Sequence, residues 1–94
     1  MGTEADKAIK ELEKELALAK EFYTTVELTL AKKQPLKAPD RTQVFIYIEK
    51  ALPLLYSEAE KLDKFTHSTK LVQSVRQLDE QAHKIAEKIL QAKS

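Results

Sequence analysis

The chain contains no cysteine. Disulfide scaffolds, thiolate metal sites and cysteine nucleophiles are therefore excluded. Its only glycine is Gly2, and its prolines are Pro35, Pro39 and Pro53. All-β folds need far more turn punctuation, and a phosphate-cradling loop needs more glycine than this. No apolar run approaches the ~20 residues that span a bilayer, so no membrane span is expected. Neither sign of charge dominates: 16 Lys and Arg stand against 15 Asp and Glu, leaving a formal net charge of +1. Such a balance gives little long-range attraction to nucleic-acid phosphate or anionic lipid. The opening Met1-Gly2-Thr3-Glu4-Ala5-Asp6 is acidic and carries no apolar stretch, unlike a signal peptide, which makes a cytoplasmic protein the default expectation.

What is present is 94 residues, 43% of them hydrophobic and 33% charged, with the apolar positions set at helical spacing. This is the composition of one globular domain covering residues 1–94. In the first segment Ala5, Ile9, Leu12, Leu16, Ala19, Tyr23, Val26 and Leu30 alternate steps of four and three, which stack on one helix face. The spacing predicts a helix over about 4–32, opened by a box-like pairing of Thr3 with Asp6. Pro35 and Pro39 break the pattern, and Asp40 or Pro39 can begin the next helix, over about 40–64. There Val44, Ile48, Ala51, Leu55, Ala59 and Leu62 form the stripe, and Pro53 predicts a distortion near 49–53. The third stripe, Leu71, Val75, Leu78, Ala82, Ile85, Ile89 and Ala92, predicts a helix over about 67–92.

Neither glycine nor proline marks the join between the second and third segments. Phase does. Continuing the grid from Leu62 would place Thr66, Thr69 and Gln73 in the core, whereas the next stripe uses Leu71, Val75 and Leu78. A turn at about 65–68, with Thr66 or Ser68 as N-cap, reconciles the two. The fold expected is all-α, an antiparallel up-down-up three-helix bundle with coiled-coil-like packing. Without that turn, the chain would be a long helical hairpin that must dimerise to cover its stripe.

Chemistry-bearing groups are sparse, and neither a catalytic site nor a cofactor is expected. Asp79, His83 and Glu87 share a helix face, but intrahelical charge pairing accounts for them, and no metal site is expected. Arg76 and His83 stand at an R-x6-H spacing. This resembles the Arg-to-His signature of the HEPN ribonuclease superfamily, which is also all-helical. The resemblance covers one helix and implies metal-independent RNA cleavage at a dimer interface with Arg76 and His83 as the paired groups. Gln77 follows the arginine here, where that family usually has Asn, Asp or His. Lys32, Lys33, Lys37 and Arg41 make the first loop basic, a weak anion-binding candidate and the basis of an alternative reading as a nucleic-acid-associated protein.

The feature with most functional content is surplus apolar surface. On the middle helix Phe45, Leu52 and Tyr56 on one flank, Tyr47 and Leu54 on the other, and Ile46 opposite the stripe widen the apolar arc to about 200°, against the ~100° a surface helix needs. Leu18, Phe22 and Leu28 sit off the first stripe in the same way. Phe45, Ile46, Tyr47, Leu54, Tyr56 and Phe22 are thus candidate partner-binding residues. The expected function is a non-enzymatic protein–protein interaction module, scaffold or adaptor subunit. It would bind itself, as a homo-oligomer, or a partner helix through an apolar face of the second helix.

Overall fold

Three helical rods carry the three stripes. In the computed structural model, which describes residues 3–92, α1 runs Thr3–Ala31. The second rod is composite: α2, Ala38–Ile46, passes through a π-helical turn, Tyr47–Ala51, into α3, Leu52–Thr66. Helix α4, Lys70–Ala92, completes an up-down-up bundle with no strand among the described residues. It packs against α1, α2, the π turn and α3, while α1 also packs against α3. The result is a rod with principal extents of 53 × 18 × 17 Å. The pairing expected of the Thr3 side chain, and the side chain of Ala92, lie outside the described residues.

The core is continuous along the rod. Leu12, Leu16, Ala19, Tyr23 and Val26 from α1 meet Val44, Leu52, Leu55 and Ala59 from the second rod and Leu71, Val75, Leu78, Ala82, Ile85 and Ile89 from α4. Burying each large apolar side chain contributes about 1.5–3 kcal/mol. Ile9 and Leu30 are half-buried and pack against this cluster.

The π turn corrects the expected stripe. The sequence grid places Ile48 and Ala51 in the core and Leu52 on a flank. The structure instead buries Leu52 to 3% exposure and leaves Ile48 and Ala51 half-buried. The Leu52 amide donates to the carbonyl of Tyr47, five residues back, so this turn holds one residue more than an α turn. Pro53 supplies the reason. It has no N–H to give to the Glu49 carbonyl, and in an α-helix its ring would collide with that carbonyl. The wider turn relieves the collision and brings Leu52 into the core in place of Ile48 and Ala51, while Leu55 and Ala59 keep the core places the stripe gives them.

Helix ends follow the same local logic. With no glycine at hand, Lys33 (φ 57°) takes the left-handed conformation beyond α1. Its N–H donates to the Leu30 carbonyl at 3.0 Å, and that of Gln34 to Thr29 at 3.1 Å, a Schellman closure. Helix α2 begins at Ala38, earlier than expected, because Pro39 fits the first turn, and Asp40 there complements the helix dipole. The second join is a real turn, which excludes the long hairpin: α3 reaches Thr66, and His67 is left-handed (φ 56°). Ser68 Oγ accepts the Lys70 N–H at 3.2 Å, so α4 starts at Lys70 rather than near 67.

One residue organises this corner. Asp63 is 3% exposed. Its carboxylate accepts the Leu71 N–H at 3.2 Å and the Val72 N–H at 2.9 Å. Its main-chain carbonyl accepts the N–H of His67 and that of Ser68. Asp63 therefore closes α3 and opens α4 together, using a charged acceptor where the free donors of a helix start need one.

Candidate functional site: an apolar groove between α1 and α3

The surplus apolar residues divide into two groups. Phe22, Phe45, Tyr47 and Tyr56 are half-buried and pack against the core. Phe22 and Tyr47 stack with centroids 5.8 Å apart and planes 28° apart, and Tyr23 tilts against both at 5.7 and 5.6 Å. These rings fasten α1 to the π turn, and most of their apolar area serves the bundle itself. Ile46 and Leu54 behave differently, standing 40% and 67% exposed. Leu18 on α1 is 55% exposed.

Leu18 and Leu54 flank a groove of about 400 Å³. Tyr47, Ala51 and Leu55 also line it, with the carboxylates Glu15 and Glu58 on its border. Leu55 points into the core, where the sequence stripe places it, and Leu54 stays outside, so the neighbouring leucines face opposite ways. Of the six candidate partner-binding residues, Tyr47 and Leu54 line this groove, and Leu18, off the core stripe in the sequence, completes it. Ile46 lies on the same rod outside the groove lining. Phe45 and Phe22 are half-buried against the core and do not line the groove.

Tyr56 lies elsewhere. With Ile48, Leu52, Pro53, Val75, Arg76 and Asp79 it lines a cleft of about 320 Å³ between the second rod and α4. Arg76 donates to the Tyr56 hydroxyl at 3.2 Å, and this bond is the main cause of the upward push on its guanidinium pKa. The hydroxyl of Tyr23, wholly buried, has no hydrogen-bond partner among the described residues. Burial chiefly, then electrostatic repulsion from neighbouring Tyr47 and Asp79, holds its pKa above the usual tyrosine range.

Arg76 and His83 each have a partner of their own. The Nδ1 of His83 lies 2.8 Å from the Asp79 carbonyl oxygen and 3.3 Å from its carboxylate. Among the described residues no group of three His, Asp or Glu is placed to hold a metal ion. The basic loop spreads its charges. Lys33 lines a groove of about 680 Å³ with Leu30, Ala31, Gln34, Pro35, Lys88 and Gln91. Lys32 and Lys37 are exposed on the loop, and Arg41 is half-buried on α2. No helix among the described residues is long and apolar enough to cross a membrane.

Scans of protein-family models, of curated proteins and of solved structures give no match to this chain.

Proposed function

We propose that the chain is a non-enzymatic helical interaction module, a scaffold or adaptor subunit that receives an apolar helix face in the groove between α1 and α3. One observation carries this reading. Leu18 and Leu54, 55% and 67% exposed, face a shared groove in a bundle whose core is complete without them. Exposed large aliphatic side chains gathered around a concavity are the usual mark of a protein contact. The groove runs between two helices, so an incoming amphipathic helix would lie along it and present leucine-sized side chains at intervals of three and four. Half-buried Tyr47 at the base offers a large, rigid ring to pack against, as interface centres often do.

Site-specific photo-crosslinking tests this. A benzophenone side chain at position 54 or 18 is expected to capture protein in a native extract, while the same group at exposed Lys84 on α4 does not. Equal capture at all three positions, or none at 54 and 18, overturns the reading.

A further inference from the structure

We infer that the occupant of the groove is a second copy of this chain, docked antiparallel about a two-fold axis close to Leu54. This deepens the proposed function and rests on it.

The argument is self-complementarity. A two-fold contact brings one surface against itself, so each protruding group needs its complement on the same patch. Leu54 protrudes, with 67% of its surface exposed, directly beside a groove of about 400 Å³ able to take a leucine. Two copies can therefore exchange Leu54 side chains, each entering the groove bounded by Leu18 of the other.

Charge fits the same axis. When two helices run antiparallel about one residue, the position four before it meets the position four after it on the other copy. Those positions lie about 6 Å to either side along the rod. Here they are Lys50 and Glu58, both exposed. Glu15 borders the groove together with Glu58, so each Lys50 arrives at a pair of carboxylates. The symmetry makes this contact twice. A purely basic partner helix would satisfy Glu15 and Glu58 but leave Lys50 against like charge. A second copy satisfies both signs.

Surface area permits the pairing. The chain exposes 7037 Å². A compact monomer of this mass exposes ~5,500 Å². The surplus exceeds the ~800 Å² that each partner contributes to a standard interface.

Light scattering on the full chain, with Lys50→Glu, Glu58→Lys and the double exchange, tests the geometry. Because the affected side chains are exposed, circular dichroism should read unchanged helicity for all three. The expected result is a dimer whose dissociation constant rises about tenfold or more in each single variant and recovers in the double. Leu54→Cys, in a chain free of other cysteines, should oxidise to a disulfide-linked dimer, whereas Lys84→Cys should not. A monomer at every concentration, or a dimer indifferent to both charge reversals, overturns the inference. The two readings fail separately. Photo-crosslinks from position 54 to a different protein overturn the second copy and keep the groove, while no crosslink at all removes both.

Discussion

Tyr23 is the least accommodated side chain in the core. Its ring is wholly buried, yet its hydroxyl finds no acceptor or donor among the described residues. Leaving a buried polar group unpaired costs about 1–3 kcal/mol, so Tyr23→Phe should raise unfolding free energy by about 1 kcal/mol in urea titrations. The same residue gives a pH signature. Its folded pKa is raised, chiefly by burial, above the value near 10 of the unfolded chain. Below that unfolded value Tyr23 is neutral in both states and contributes no slope. As pH rises further, the unfolded state ionises first, and stability falls by up to about 1.4 kcal/mol per pH unit. The difference in stability between the parent chain and Tyr23→Phe should therefore be flat below pH 10 and widen above it. A constant difference across that range would refute the assignment. Lys33 and His67 carry a related local strain, since both hold left-handed backbone that glycine adopts freely. Lys33→Gly should raise the thermal midpoint, with a gain of up to about 1 kcal/mol.

At the scale of elements, the corner between α3 and α4 depends on a residue that apolar periodicity passes over. Asp63 serves two helices, and Asp63→Ala would strand the N–H groups of Leu71 and Val72 beside a buried void. A loss of about 2–3 kcal/mol is expected, with amide exchange rising first at the start of α4. The stripes of α1 and α4 were legible in the sequence because steps of three and four repeat without interruption from Leu12 to Val26 and from Leu71 to Ile89. Asp63 was not, although it sits four residues after the core residue Ala59 and eight before Leu71. A carboxylate at a core-phase position just ahead of a turn is the signal that could have revealed it. The π turn was half legible. Pro53 announces a distortion, but a proline alone does not say whether the helix will kink or take in an extra residue. The answer lies in the interval between the core residues Val44 and Leu52, eight residues where α geometry would use about seven. Deleting Glu49 together with Pro53→Ala should accordingly yield a continuous α-helix with the core in register and little change in thermal midpoint. Deletion with Pro53 retained should cost about 3 kcal/mol, because the ring again meets a helical carbonyl.

At the scale of the whole molecule, adjacent residues stand on opposite sides of the bundle surface. Leu55 is 7% exposed and belongs to the core, whereas Leu54 is 67% exposed and reaches outward. The sequence separates them, placing Leu55 in the core stripe and Leu54 in the surplus arc, although it misplaces Ile48 and Ala51 across the π turn. It also indicates that the second rod carries more apolar surface than one bundle can enclose. That surplus is divided between rings that fasten α1 to the π turn and leucines that border the groove. Leu55→Asp should unfold the chain, since a carboxylate placed in the core is left unpaired. Leu54→Asp should leave the isolated fold within about 0.5 kcal/mol of its parent, as for most exposed substitutions. Its effect should appear in concentration dependence. If the folded chain pairs and the unfolded chain does not, mass action makes Tm climb with protein concentration. Calorimetric scans over a wide concentration range should show that climb for the parent chain and a flat Tm for Leu54→Asp, the two curves meeting at high dilution where both are single chains. Parallel curves at all concentrations would mean that Leu54 acts in the fold, and the division of labour between the neighbouring leucines would be lost.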